Sequence, residues 1–296
     1  SSWFRLFSAS IESTSLYAAG IWAFPHFEKL ERVQVRAFKS LLGLTRNCPD
    51  YIVRLELGLL HTKHRICKSM YDWWLRLESM DASRLPKICY SQLKALAGRG
   101  EVDIRYNWAH QMKTLLDETE LSDLWETTDL ATLKKNKKIF LNRLSDSLRT
   151  QDADRARLSS YNVAPRNYSS PSGQCAGYLS FPVPLYAKRL LAQVRTAGSS
   201  YSRVTLSRIV NVFDNSNSCS ICNTGESDSL FHLLGRCPIF RSERRRFFAA
   251  ASMEDDEVGR TLELSQLETL HNTVGYLQTV LRQRAFIVTE GNIALR

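Results

Sequence analysis

The chain has 296 residues, 44% of them hydrophobic, which is enough apolar material for one or two packed cores. No apolar run reaches the roughly 18 residues that a membrane span requires, and the N-terminus lacks a signal-peptide pattern, so we expect neither a membrane partner nor secretion. Lysine and arginine outnumber aspartate and glutamate by 40 to 30, a net charge of +10, which favours a polyanionic partner and an intracellular, nuclear location.

Residues 1–158 have the pattern of a helical bundle. The apolar segment 3–23 predicts one buried helix, and because the chain starts within it and without Met, we expect a fragment of a longer protein. Apolar residues spaced by three and four between Leu30 and Leu42, followed by Gly43, predict an amphipathic helix with a glycine C-cap. Further helices are expected over 49–57, 62–80, 85–97, 108–116 and 130–148.

Two features of this bundle have alternative interpretations. Trp73 and Trp74 lie beside lysine and arginine residues, and their spacing favours packing in the core, with stacking on nucleic-acid bases as the alternative. The helix over 130–148 carries a face of lysine and arginine residues, which is either an ordinary solvated face or a contact for nucleic acid.

The second half begins with an irregular linker. Ser, Pro, Gly, Asn and Tyr dominate residues 159–184, which show no apolar periodicity. A small module with basic helices is predicted over 185–250, with helices over 185–196 and 202–213. Residues 251–296 are predicted to form a C-terminal helical tail, with the helical pattern over 262–286.

The small module contains a metal-ligand motif. Cys219, Cys222, His232 and Cys237 follow the spacing C-x2-C-x9-H-x4-C, and Gly225 permits a turn after the first cysteine pair. Two residues between the first cysteines let both thiolates reach one ion, and the histidine and last cysteine complete a tetrahedron. Four protein ligands leave no position for water, so we predict a structural zinc ion, Zn²⁺, rather than a catalytic one. Chance spacing of four unrelated residues is the alternative.

The remaining cysteines show no shared spacing. Cys48, Cys67, Cys89 and Cys175 are scattered among helical and loop segments, and the chain is too long and too poor in cysteine for a small disulfide scaffold. We expect them to be reduced thiols in the interior.

Positive charge is concentrated around the motif. Residues 185–250 contain ten lysines or arginines against four acidic residues, and arginine suits phosphate because its guanidinium pairs in a bidentate way. For the arginine cluster Arg244-Arg245-Arg246, the alternative to phosphate binding is an ordinary exposed helix surface. Phe247 and Phe248, which follow this cluster, are expected to pack between helices rather than stack on bases. The candidate nucleic-acid-binding residues are Lys188, Arg189, Arg195, Arg203, Arg208, Arg241, Arg244, Arg245 and Arg246.

No motif of an active site is recognisable. The chain lacks the paired-aspartate signature of polymerases, the phosphate-binding loop, and the common hydrolase and metalloprotease motifs. Asp255-Asp256 falls in an acidic stretch that we expect to be weakly structured, so we do not assign it as a catalytic metal-binding pair. Neither polymerase nor nuclease activity is assigned to this chain alone.

Two stretches resemble the C-terminal part of the reverse transcriptase protein of non-LTR, LINE-type retrotransposons. The first is Leu16-Tyr-Ala-Ala-Gly-Ile-Trp22 with residues 30–44, Pro49 and Leu55-Glu-Leu-Gly58, which is similar to the helices after the polymerase palm. The second is Arg195-Thr-Ala-Gly198, the cysteine pair, Glu226, His232-Leu-Leu, Cys237-Pro238 and then Arg241 or Arg244, which is similar to the zinc knuckle of those proteins.

The resemblance implies a thumb-like and linker bundle followed by a CCHC zinc knuckle that helps to hold RNA or target DNA. The fingers, palm and catalytic carboxylates of the family are missing, so an N-terminal polymerase portion of the parent protein is the implied partner. We predict an all-α fold, a helical bundle followed by a small CCHC module with flanking helices, which binds RNA, DNA or both. A zinc-stapled, host-adopted or structural protein-interaction module is the alternative.

Overall fold

The computed structural model describes residues 2–98, 103, 105–160, 173 and 175–294. The chain divides into two compact units, Ser1–Gln34 with Leu60–Thr150, and Val35–Leu59 with Gln151–Arg296. Residues 161–172 and 174 of the predicted linker lie outside the described part.

The helices are α1 (Ser2–Phe7), α2 (Ser13–Ser15), α3 (Ala19–Trp22), α4 (Phe27–Leu42), α5 (Asp50–Leu57), α6 (Thr62–Glu78), α7 (Leu85–Ala97), α8 (Trp108–Glu118), α9 (Leu130–Arg157), α10 (Leu185–Arg195), α11 (Arg241–Phe248), α12 (Asp255–Glu263) and α13 (Leu267–Ala294).

The first unit is built around the apolar face of α6. Ile66, Met70 and Trp74 of that helix are fully buried, and they pack in one core with apolar residues of α8 and α9. The Trp74 ring stacks on Trp125, with the ring centroids 6.2 Å apart, and its Nε1 donates to the Tyr90 hydroxyl at 3.0 Å. The packing interpretation of the tryptophan pair is therefore confirmed for Trp74.

The second unit is organised around α13, which contacts α10, α11, α12 and the first two strands of a small sheet. The strands are β1 (Tyr201–Leu206), β2 (Ile209–Ser218) and β3 (Ser227–Asp228), in the order β1-β2-β3 and all antiparallel. Tyr276 and Leu277 at the middle of α13 are fully buried. Arg284, further along α13, donates to Asp228 Oδ2 at 2.6 Å, so a buried ion pair ties the helix to β3.

The all-α prediction is wrong over 201–228, and the helix expected over 202–213 is a β-hairpin. Side chains of β1 alternate between exposed and buried, and Tyr, Val and Thr favour such a half-buried pleated surface. Ser207 and Arg208 form the two-residue loop with φ of 50° and 68°, as a type I′ turn requires. The chain is therefore mostly helical with one small sheet.

Two other helical predictions are interrupted by residues in the left-handed region. The single helix expected over 3–23 passes through a π-helical turn at Ser8–Glu12 and is broken at Ala18, whose φ is 52°. The pattern over 262–286 is broken at Leu264, whose φ is 53°, so α12 and α13 are separate helices. The acidic stretch expected to be weakly structured begins α12 with a capping box between Glu254 and Glu257.

The remaining helical predictions are confirmed, although α9 continues to Arg157, nine residues beyond the end predicted at Leu148. α5 ends at Leu57 before Gly58, α4 ends at Leu42 before Gly43, and α7 has the predicted bounds. Cys48 and Cys67 are buried as expected, whereas Cys89 and Cys175 are exposed, and none of the four forms a disulfide bond within the described residues. No helix in the described ranges combines the length and the apolar character that crossing a membrane requires.

Two buried ion pairs within the second unit fix α5. Arg54 donates from Nε to Asp152 Oδ2 at 2.7 Å, and Arg195 donates from Nε to Glu56 Oε1 at 2.7 Å. Arg195 also donates to the Leu262 carbonyl and lies over the Tyr178 ring. These contacts join α5 to α9, to α10 and to the end of α12.

We expect Glu56→Gln to lower the free energy of unfolding by about 3 kcal/mol, because it leaves the Arg195 guanidinium buried without its counter-charge. Asp154→Asn is the matched control, since its ion pair with Arg157 is more than half exposed and contributes at most about 1 kcal/mol. Urea denaturation measures both variants. Equal midpoints for the two would contradict the assigned role of the buried pair.

Candidate metal centre

Four side chains predicted as metal ligands converge in the second unit. The ligand atoms of Cys219, Cys222, His232 and Cys237 all lie within 4.8 Å of one another, and all four residues are buried. Cys222 Sγ is 3.1 Å from His232 Nε2. Four such atoms in one small volume can bind a metal ion, and the predicted ligand set is thereby brought together.

The local backbone explains why distant ligands meet. Cys219 follows β2 directly, and the chain turns back through Gly225, whose φ of 76° suits glycine, so that the Cys219 amide donates to the Glu226 carbonyl at 2.7 Å. His232 then begins a π-helical turn, His232–Arg236. The backbone amide of His232 donates to the Ser229 hydroxyl at 3.0 Å. The Cys237 amide closes this turn by donating to the His232 carbonyl at 2.7 Å.

A chain of polar contacts orients the imidazole. His232 Nδ1 lies 3.1 Å from Glu226 Oε2, which also accepts from Arg236 Nε at 3.1 Å. Arg236 in turn donates to Asp255 Oδ1 at 2.7 Å, at the start of α12. With Nδ1–H donating to the carboxylate, Nε2 faces the cysteine sulfurs as the ligand atom, the arrangement of carboxylate–histidine–metal sites. Sequence reasoning did not connect Arg236 or Asp255 with the metal site, since Arg236 is one of the residues between two ligands of the motif and Asp255 lies beyond the motif.

The clustered groups shift one another's pKa values. The hydrogen bond with Cys237 lowers the pKa of the Cys219 thiol to about 3, and the same contact raises the pKa of Cys237. Desolvation lowers the pKa of His232, but hydrogen bonds with Cys219, Cys222 and Glu226 outweigh it and raise the pKa to about 9. Thiolates and neutral imidazole are the forms that bind metal, so a divalent cation bound here would take the place of shared protons.

Packing against the ligand turn leaves little room for change. A Cβ on Gly235 would lie 2.3 Å from the Met253 carbonyl oxygen, so only glycine fits between the turn and the chain before α12. The Tyr276 hydroxyl of α13 donates to the Leu233 carbonyl at 2.8 Å. Arg244, 1% exposed, donates from Nη2 to the Cys237 carbonyl at 2.7 Å, so α11 supports the last ligand directly.

The structure separates the nine predicted nucleic-acid-binding cations into three groups by burial. Arg195 and Arg244 are buried and make hydrogen bonds with backbone carbonyls, so we leave both out of any binding surface. Lys188 is half-buried and donates to the Leu179 carbonyl at 2.7 Å. The exposed cations are Arg189, Arg203, Arg208, Arg241, Arg245 and Arg246.

The two phenylalanines after the arginine cluster pack inside the unit. Phe247 meets Tyr276 edge to face at a centroid distance of 6.3 Å, and Phe248 lies 5.0 Å from the same ring. The prediction that they pack between helices is confirmed.

Comparison of the chain with protein-family models, with curated protein sequences and with solved structures gives no significant match. The resemblance to non-LTR reverse transcriptases therefore depends on the residues quoted above and stays a prediction.

We expect Glu226→Ala to weaken metal binding by roughly 10- to 100-fold, because the imidazole loses the carboxylate that fixes its tautomer and orientation. Glu263→Ala is the matched control, since Glu263 is exposed near the end of α12 and does not contact the ligands. Competition with a chromophoric chelator measures the affinity of both variants. A Glu226→Ala affinity equal to that of the control would show that the contact is incidental.

Proposed function

We propose that this chain binds nucleic acid as the C-terminal region of a retroelement reverse transcriptase, and that a structural zinc ion holds its binding module together. Three thiolates and an imidazole are soft and borderline donors, the set that tetrahedral zinc sites use. The observation that carries the proposal is the convergence of these four buried ligands next to a helix rich in exposed arginine.

Helix α11 presents cations close to the metal ligands. It begins four residues after Cys237, and its Arg241 and Arg245 are separated by one helical turn, so both lie on the same exposed face. Arg246 is also exposed, with a long contact of 3.9 Å to Glu243. Guanidinium groups on a rigid helix are suited to phosphate contacts because their donors match phosphate oxygens in pairs.

The β-hairpin adds a second group of cations with an aromatic neighbour. Arg203 lies over the Tyr201 ring at 5.5 Å and donates from Nε to its hydroxyl at 2.7 Å, and both side chains are exposed. Arg208 projects from the type I′ turn. Exposed aromatic and arginine side chains on a strand provide stacking and charge together, which supports binding of single-stranded nucleic acid.

The assignment to a retroelement protein depends on the zinc-knuckle motif and the helical stretch that resemble that family. The parent activity, RNA-directed DNA synthesis, belongs in this proposal to the polymerase portion and not to the residues described here.

One observation favours the protein-interaction alternative. Val210 and Val212 of β2 are 53% and 39% exposed, and they share the outer face of the hairpin with Tyr201. Apolar side chains grouped on an exposed face also suit a protein partner. If the alternative is correct, Val210→Thr with Val212→Thr abolishes capture of that partner while binding to nucleic acid stays at the level of a basic control protein.

We expect Arg241→Gln, Arg245→Gln and Arg246→Gln together to weaken nucleic-acid binding and to flatten the dependence of log K on log salt by about 2, because up to three phosphate contacts no longer release counterions. Titration of single-stranded RNA and nicked duplex at several salt concentrations measures the slope. Arg244 is kept, because its removal would disturb the carbonyl of Cys237.

The matched control replaces Lys134, Lys135 and Lys138 by Gln, which removes the same charge from the exposed face of α9. We expect it to bind as the parent chain does. An α11 variant with the parent's affinity and slope, or a control that loses as much affinity, would refute the proposed surface.

A further inference from the structure

A basic cavity lies in the second unit, away from the metal ligands. Its volume is about 680 Å³, within the range of roughly 300–1,000 Å³ that is usual for small-molecule sites. It is bounded by the C-terminal end of α4, by α10, by the turn of the β-hairpin and by α13. Ser40, Tyr186 and Ser207 line it with hydroxyl groups.

Two arginines and no acidic residue line this cavity, which gives it a net positive charge. Arg189 is held in place because its Nε donates to the Leu41 carbonyl at 2.8 Å, at the end of α4. Within the part of the chain that the structure describes, its two terminal nitrogens make no hydrogen bond, and Arg282 makes neither a hydrogen bond nor an ion pair. Both side chains are exposed to the cavity mouth and retain donors for a ligand.

The side-chain amide of Gln193, one helical turn after Arg189 on α10, fixes the wall that α10 and β1 share. Gln193 accepts from the Thr205 amide at 2.6 Å and donates to the Arg189 carbonyl at 3.2 Å, so it attaches β1 to α10. This attachment holds the turn residue Ser207 at the rim. Tyr186, 55% exposed, presents an aromatic ring at the same cavity.

We infer that this cavity binds one nucleotide unit of a nucleic-acid strand. Arg189 and Arg282 contact the phosphate, with Ser40 and Ser207 as further donors, and the base stacks on Tyr186. The inference rests on the proposed function and names a binding position within it that neither the metal motif nor α11 provides. A free nucleotide offers the same phosphate and base, so both sources are tested.

The first experiment titrates single-stranded RNA by fluorescence anisotropy. Arg282→Gln removes a side chain that has no partner in the described residues, so the fold is retained, and we expect roughly tenfold weaker binding and a salt slope flatter by about 1. Tyr186→Leu removes the stacking ring and also weakens binding. Arg32→Gln is the matched control, because it removes one exposed charge of α4 outside the cavity, and it is expected to bind as the parent chain does.

The second experiment follows the backbone amide NMR signals of the parent chain as adenosine 5′-monophosphate is added. Binding in the cavity predicts shifts of the amide signals of Gly43, Ser207 and Gln278. These shifts should be absent when adenosine, which has no phosphate, is added instead, and they should be lost in Arg282→Gln. Strand binding that is equal in Arg282→Gln and Arg32→Gln refutes the inference and leaves the proposed function standing. A parent chain that binds no strand refutes the proposed function, and the nucleotide shifts then still decide whether the cavity binds phosphate.

Discussion

The buried approach of three thiols and one imidazole is the constraint on which the second unit depends. Their ligand atoms lie within 4.8 Å of one another, where thiolates repel and are poorly solvated unless a cation compensates them. The ligands come from the end of β2, a glycine turn and a π-helical turn. With the proposed zinc ion bound at this point, the ion would join the end of β2 to the turn that precedes α11.

The contacts around the ligands extend this constraint to the cations. Arg244 donates to the Cys237 carbonyl, so the buried side of α11 is attached to the site while Arg241 and Arg245 face outward. Tyr276 of α13 donates to the Leu233 carbonyl beside His232. The sheet is attached to the same helix, because Arg284 of α13 donates to the Val212 carbonyl of β2 and pairs with Asp228 of β3. The metal centre, the arginine helix and the hairpin therefore share one supporting helix.

The ligand set was predictable from the sequence because a metal imposes a spacing on the residues that bind it, whatever the surrounding fold. Long periodic helices such as α6 and α7 were predictable for a similar reason, since burial of one face of a helix fixes the spacing of its apolar residues. The hairpin was missed because Ser207-Arg208 lacks the Asn-Gly signature of its turn, and tertiary packing imposes the positive φ values. Arg195 and Arg244 were misassigned to a surface because only the fold shows that Glu56 and the Cys237 carbonyl face them inside.

The most direct test of the central claim is the zinc content of the purified chain by native mass spectrometry, compared with His232→Ala and with His271→Ala. His271 is an exposed histidine of α13 and serves as the matched control. We expect one zinc ion per chain in the parent and in His271→Ala, a large loss in His232→Ala, and unfolding of the second unit when a chelator removes the ion. Substoichiometric zinc in the parent, or full zinc in His232→Ala, would contradict the assignment of a structural zinc site.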